Sequence, residues 1–346
     1  MSDEAADVEA RLRAFLADQL PGAQDLEIAN LRRTSSGFSR ENWPFDASWR
    51  SGDRVERAAL IMRRDPVGSV LVTDRREEFA VLRALESSPV PAPRARFLDA
   101  DGAFLGRPAV VMERVDGDCD WFVVNGERPL GARVAFAHRA LELLSAIHAV
   151  DWRAAGLGPV LGEPAPGTGA ATAALDRWEA ELRRQQLEPY PELEVVLGWL
   201  RANEPVAQTT ALVHGDFKPG NMLLRAEPGA GGGPVEGNVE IVAMLDWETA
   251  HLGDPLEDLG WITNPLRRRE HQIPGVWERA DIARRYEELT GLRVTEADLR
   301  FWNVLANFKL AVIVLTGARS FVEGRGDRVF TAPSALVALM FELIGI

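Results

Sequence analysis

The run Leu212-Val-His-Gly-Asp-Phe-Lys-Pro-Gly-Asn-Met-Leu-Leu224 concentrates polar, chemically competent residues between two apolar stretches. An apolar pair delivers the chain to Asp216, and Asn221 follows five residues later, just before a second apolar segment. Phosphoryl transfer calls for this combination. A carboxylate orients or deprotonates the attacking hydroxyl, and a hard oxygen ligand nearby holds the magnesium that neutralises the phosphates. A second signal is Val239-Glu-Ile-Val-Ala-Met-Leu-Asp246, an apolar strand that ends on a carboxylate. A side chain in that position reaches the cleft at the strand's end, where Asp246 would hold magnesium between phosphate oxygens.

These residues need a scaffold, and the patterning supplies one. Glu4 to Leu20 carries Val8, Leu12, Phe15, Leu16 and Leu20 on one helical face and stops at Pro21-Gly22. Leu26 to Leu31, Trp43 to Trp49 and Ala58 to Met62 read as strands, the last two joined by the hairpin signal Ser51-Gly52-Asp53. Asp74 to Leu85 reads as a helix, ended by Pro89, Pro91 and Pro93. Strands at Ala95 to Leu98 and Pro108 to Met112 follow. After Asp116-Gly117 helices take over: Arg133 to Ile147, Ala170 to Arg184, Glu192 to Ala202, and most of Pro255 to Ile344. A short β-rich island at Leu212 to Leu245 interrupts them, broken by the Gly/Pro loop Pro228 to Gly237. The division expected is residues 1–115 as a β-rich nucleotide-binding lobe and 116–346 as a mostly helical catalytic and substrate lobe, an α+β class.

The ordered set His214-Gly-Asp-x-x-x-x-Asn221, a strand ending in Asp246, then Gly253-Asp254-Pro255 resembles the aminoglycoside phosphotransferase and choline kinase superfamily. The resemblance covers about Leu31 to Trp261. It is nearest to bacterial phosphotransferases that look like the kinase domains associated with acyl-CoA dehydrogenases. It implies a two-lobed fold related to protein kinases, ATP and Mg2+ as cofactors, and a small-molecule hydroxyl as acceptor. By resemblance Asp216 is the catalytic base, and Asn221 and Asp246 are the magnesium ligands. Lys218 stands where protein kinases carry a lysine facing the transferring phosphate; many superfamily members have histidine there. Ser36, Gly37, Phe38 and Ser39, in the run Ser35 to Arg40, occupy the place of the hairpin that covers the ATP phosphates. Arg63 replaces the usual strand lysine that grips phosphate, and arginine can do so bidentately. Glu78 is then its ion-pair partner. Glu113 to Val115 resembles the hinge whose backbone receives adenine.

Plainer readings stand beside several of these. His214 serves to hold its loop. Asp254 before Pro255 is a helix cap. Arg63 is either a phosphate ligand or a solvated strand-end residue like Arg64. Trp178, Trp199, Trp261 and Trp302 belong to the core, and Asp176 and Glu179 to a solvated helix face.

Composition narrows the classes further. The chain has 346 residues, 46% hydrophobic and 26% charged, the profile of a soluble globular protein. A net charge of −13 argues against nucleic acid as a partner; it is compatible with a cationic substrate, and equally with acidity that simply keeps a protein soluble. One cysteine, Cys119, excludes a disulfide framework and, with an acidic N-terminus, points to the cytoplasm. No uninterrupted apolar run reaches the roughly 18 residues of a membrane span, so no membrane partner is expected. No feature speaks to oligomeric state. A protein kinase, and a catalytically degraded kinase fold that binds nucleotide or a partner, are the alternatives. An oxidoreductase is excluded because no Gly-x-Gly-x-x-Gly opens a helix after a strand.

Overall fold

The computed structural model describes residues 3–34, 40–66, 74–228, 234–324 and 333–346. Helix α1 (Asp3–Gln19) precedes strands β1 (Gln24–Ala29), β2 (Glu41–Ser51) and β3 (Arg54–Arg64). Helix α2 (Arg75–Leu85) then leads to β4 (Ala95–Asp99) and β5 (Ala109–Glu113). The five strands form one antiparallel sheet in the order β1-β2-β3-β5-β4. Its two faces follow the alternation of side chains along β5. Ala109 and Val111 pack with Val8, Leu12, Phe15 and Leu16 of α1, whereas Val110 and Met112 pack with Val81, Leu82 and Leu85 of α2. The hairpin expected at Ser51 to Asp53 is present, with Gly52 at φ 60° supplying the left-handed turn residue.

Helix α2 starts where expected: the Asp74 side chain accepts from the Arg76 N–H at 2.8 Å. Its buried residues Arg75, Glu78, Leu82 and Leu85 share one stripe. Two of them are charged, so this stripe serves both the core and a polar cluster.

The helical lobe comprises α3 (Leu130–His148), the single turn α4 (Gly158–Leu161), α5 (Gly169–Gln185) and α6 (Pro191–Ala202). Then come strands β6 (Ala211–Val213), β7 (Met222–Pro228), β8 (Pro234–Met244) and β9 (His251–Gly253). Helices α7 (Leu256–Thr263), α8 (Arg268–His271), α9 (Arg279–Thr290), α10 (Glu296–Val322) and α11 (Ser334–Ile344) complete it. The single β island expected between Leu212 and Leu245 divides into two antiparallel pairs, β7 with β8 and β6 with β9. Strand β9 has only three residues, and its partner lies some forty positions earlier, so no local pattern announces it. Helix α10 has the length and mean hydropathy of a membrane span, yet 78% of its apolar window is buried inside the protein. It packs against α5, α6, α7 and α11. It is the central core helix of the lobe.

Candidate active site between the sheet and the helices

Strand β6, buried at every residue, carries the chain into the turn at His214. Asp258, one turn into α7, fastens that turn. Its Oδ2 accepts the His214 N–H at 2.7 Å and its Oδ1 accepts the Gly215 N–H at 2.8 Å. Oδ2 also lies 3.1 Å from His148 Nε2, whose Nδ1 lies 2.6 Å from the Tyr286 hydroxyl. Burial opposes the Asp258 charge, and the bonds to His148 and His214 outweigh it, holding the carboxyl below its usual range. Gly215 has φ 81°, and a Cβ there would meet the Thr249 carbonyl at 2.8 Å, so only glycine fits.

The His214 ring performs the structural role expected of it. Nε2 donates to the Leu245 carbonyl at 2.9 Å, and Nδ1 accepts the Asp216 N–H at 3.2 Å. Burial pushes its pKa down, consistent with a neutral ring that ties the Asp216 loop to the end of β8. On that loop Asn221 donates Nδ2–H to the Asp216 carbonyl and to Asp216 Oδ2, each at 3.0 Å. Lys218 Nζ reaches the same Oδ2 at 2.5 Å. Both partners use Oδ2, which leaves Oδ1 of Asp216 for an acceptor. The amide nitrogen of Asn221 is spent, which leaves its carbonyl oxygen available.

Asp246 sits at φ 60° and ψ 53°, a left-handed conformation that Asp and Asn tolerate better than other side chains. Its Oδ1 meets Arg63 Nη2 at 2.5 Å. Arg63, on β3, also contacts Glu78 of α2 at 3.2 Å. Burial works against the Arg63 charge, and Asp246, Glu78 and Glu248 more than offset it. For Asp246, burial opposes ionisation, and Arg63 followed by Lys218 keeps the carboxyl below its ordinary range.

A larger cluster surrounds this pair. Glu248 lies 3.0 Å from Arg40 Nε, 3.7 Å from Arg63 and 3.8 Å from Arg75, with its side chain 6% exposed. Arg75 also pairs with Glu78 and lies 3.3 Å from Asp65. Arg75, Glu248 and Asp258 escaped the sequence reading, and Arg40 entered it only as the end of the run Ser35 to Arg40, not as the partner of Glu248. The Asp246-Trp-Glu248 spacing was the one signal available for Glu248, since a short turn after Asp246 returns that side chain to the same cleft.

The expected positions divide as follows. Asp216, Lys218, Asn221, Asp246, Arg63 and Glu78 converge in one cleft. Arg63 is buried, not solvated, and so is Arg64, which pairs with Glu41 at 2.8 Å and donates to the Leu105 carbonyl. The comparison of Arg63 with a solvated Arg64 is therefore corrected: the strand end is covered by Glu41 and Arg107. Glu113 spends its N–H on the Arg94 carbonyl at 2.9 Å, and its side chain pairs with Arg96. Arg114 N–H goes to the Ala59 carbonyl. The Val115 backbone has no hydrogen-bond partner among the described residues, so of Glu113 and Val115 it is Val115 whose amide is available as a donor. Ser36, Gly37, Phe38 and Ser39 lie outside the described residues. Asp254 caps α7 as expected, its Oδ1 accepting the Leu256 N–H at 2.8 Å.

Asp216 and Asp246 open on a cavity of about 490 Å³. Trp178 and Trp261, expected in the core, are buried but also line this cavity. Asp176 and Glu179 pair with Arg201 on the outer side of α5.

Residues 31–295 match the family model described as the phosphotransferase enzyme family. The chain belongs to that family. Among curated relatives, it is 26% identical to acyl-CoA dehydrogenase family member 11 of Rattus norvegicus over 317 residues, covering 87% of this chain and 38% of that protein. It spans less than half the length of the acyl-CoA dehydrogenase relatives it matches. Among solved structures, a candidate aminoglycoside phosphotransferase from Ralstonia eutropha superposes with TM-score 0.69 at 22% identity, covering 97% of this chain and 98% of that one. An ethanolamine kinase from Plasmodium vivax superposes with TM-score 0.58 at 9% identity, covering 99% of this chain and 88% of that one. These likenesses establish the two-lobed kinase-like fold.

Proposed function

We propose that this phosphotransferase-family chain uses ATP and magnesium to phosphorylate a hydroxyl of a small molecule, and that it works in the cytoplasm. The observation that carries the reading is the pairing of Asp216 with Asn221 and of Asp246 with Arg63 beside one cavity, which the two aspartates line. We place the lobe boundary at Val115–Asp116, so that nucleotide lies between residues 1–115 and 116–346.

The donors suit magnesium, which takes one or two protein oxygens and completes its shell with phosphate and water. Among the described residues no three His, Cys, Asp or Glu side chains cluster as a metal cage. A carboxylate and an amide oxygen, from Asp246 and Asn221, fit the sparser demand. Magnesium held there supplies charge neutralisation for the phosphates. Arg63 and Lys218 add positive charge from the strand and the loop. Val115 offers its amide to adenine. Asp216, with Oδ2 anchored by Lys218 and Asn221, orients the acceptor hydroxyl through Oδ1 and takes its proton as the oxygen bonds to the γ-phosphorus and the bond from that phosphorus to the β,γ-bridging oxygen breaks, releasing ADP. Positioning and charge stabilisation provide most of the rate.

The test is substrate-stimulated ATP consumption by the purified chain across a panel of small hydroxyl compounds. Stimulation by at least one compound, lost in Asp216→Asn, supports the reading. ATP binding without consumption across the whole panel favours a degraded kinase fold, for which Arg63 in place of lysine and the single glycine of the run Ser35 to Arg40 are the arguments.

A further inference from the structure

The cavity beside Asp216 has the ingredients of a cation site. Trp178 on α5 and Trp261 on α7 line it, as does Glu257. Aromatic faces beside a carboxylate attract ammonium groups, most strongly where water is excluded. In this protein those groups are already engaged.

Lys309 of α10 brings Nζ to 5.6 Å from the Trp178 ring centroid and 5.7 Å from that of Trp261. Glu257 Oε1 accepts from the same ammonium at 2.7 Å, and Glu257 Oε2 lies 3.0 Å from His251 Nε2. Lys309 is 6% exposed, so this cation is part of the packed wall. The guanidinium carbons of Arg267 and Arg177 lie 4.3 Å and 6.0 Å from the Trp261 and Trp178 rings. The remaining carboxylates that line the cavity are paired as well: Asp216 with Lys218, Asp246 with Arg63, Glu248 with Arg40 and Glu163 with Arg153.

We infer that Lys309 is a specificity-determining residue that fills the cation site from within, so that the acceptor is a hydroxyl compound bearing no positive charge. This rests on reading the cavity as the acceptor site. An ammonium entering it finds both indoles already facing Lys309, meets each lining carboxylate already paired with a cation (Oδ1 of Asp216 is left open), and faces Lys309, Arg177 and Arg267 as like charges. The net charge of −13 is therefore no guide to the acceptor, because the local field of the cavity is set by these cations.

The experiment measures tetramethylammonium binding to the full chain by calorimetry, without nucleotide, against sodium chloride at equal ionic strength. Wild type is expected to show no binding. Lys309→Ala vacates the space between the indoles and uncovers Glu257. It should gain at least tenfold in affinity, and a further Trp178→Ala change should remove the gain. A folded Lys309→Ala protein that does not bind, or wild-type binding of tetramethylammonium or choline that Trp178→Ala weakens, overturns the inference. If Lys309→Ala does not fold, the wild-type arm alone still decides. Because both arms read binding and not turnover, their failure leaves the phosphotransfer reading standing. Absence of ATP consumption, conversely, leaves the binding result intact.

Discussion

Arg63 and Asp246, 183 residues apart in the chain, meet at 2.5 Å across the junction of the sheet and the helical lobe. Strand β3, which carries Arg63, and the turn after β8, which carries Asp246, are thus joined by one ion pair. With Glu78 on the other side of Arg63 and Glu248 within 3.7 Å, the guanidinium serves as a bridge among three acids. A planar fork with several donors can make such a bridge; a lysine, with one point charge, can favour only part of it.

Replacing Arg63 therefore separates charge from geometry. Arg63→Lys keeps the charge and should retain measurable phosphotransfer. Arg63→Ala should weaken the apparent affinity for ATP by at least tenfold, roughly the 1.4 kcal/mol of one charged contact. Glu78 keeps Arg75 as a partner, so the variant should still fold. An unchanged ATP affinity in Arg63→Ala would reduce Arg63 to a structural bridge.

Asp216→Asn should fold and lose turnover by roughly 10²- to 10⁴-fold, the usual scale for a positioned general base. The amide preserves an oxygen for Lys218 and Asn221 and removes only the proton-accepting charge. Steady-state rates with the best acceptor decide it. Turnover within threefold of wild type sinks the assignment.

Asp246 calls for two substitutions because its backbone is left-handed. Asp246→Asn suits that conformation, whereas Asp246→Ala adds backbone strain on the order of 1 kcal/mol or more. Wild type should gain roughly 2.7 kcal/mol of stability with magnesium and ATP at about 100 times the dissociation constant. Both variants should lose the magnesium-dependent part in thermal melts, and without ligand the alanine should melt lower than the asparagine, since both lose the ion pair with Arg63 and only the alanine adds backbone strain. Equal magnesium-dependent shifts in wild type and Asp246→Asn would mean that Asp246 is not a ligand.

How far the sequence could carry these conclusions depends on distance along the chain. The contact between Asp216 and Asn221 was legible because it is local, made within five residues of one loop. The two-lobed outline was legible because turn residues and periodicity mark most elements. Glu248, Arg40 and Arg75 were not, because each becomes meaningful only when a strand, a helix and a distant turn meet. Lys309 is harder still. In sequence it interrupts an apolar helix, and only the fold puts it beside Trp178 and Trp261. Strand β9 shows the same limit, since His-Leu-Gly becomes a strand by pairing with β6 and not by its own propensity.

Asp254 predicts a pH dependence. Burial pushes its pKa up to about 7, with Asp298 and Glu257 adding to the shift and the Leu256 N–H opposing it. The folded state thus holds a proton that the unfolded chain releases near pH 4. Its contribution is present in acid and is lost as pH rises toward 7. Asp254→Asn keeps an acceptor for the Leu256 N–H and cannot ionise. Denaturant melts should show the variant gaining on wild type by on the order of 1 to 3 kcal/mol between pH 5 and pH 8. A difference that stays flat across that range would show that Asp254 is ionised throughout.

A polypeptide acceptor does not suit the segment after Asp246. Protein kinases place a long segment after the metal-binding aspartate, and its ordering builds the platform on which a peptide lies. Here Asp246 is followed by the single turn Trp247–Thr249, then by β9, and α7 begins at Leu256. Each step is tied down. Trp247 is buried and donates Nε1–H to the Met244 carbonyl, Thr249 donates to the His214 carbonyl, and β9 pairs with β6 along its whole length. The segment has neither the length for a platform nor a free portion that phosphorylation could order. It walls a cavity of about 490 Å³, within the usual range for small ligands. Incubation with labelled ATP and generic protein substrates should yield no phosphoprotein above background. Robust labelling of a polypeptide that disappears in Asp216→Asn would mean that peptide reaches Asp216 by another route, and the small-molecule assignment would fall.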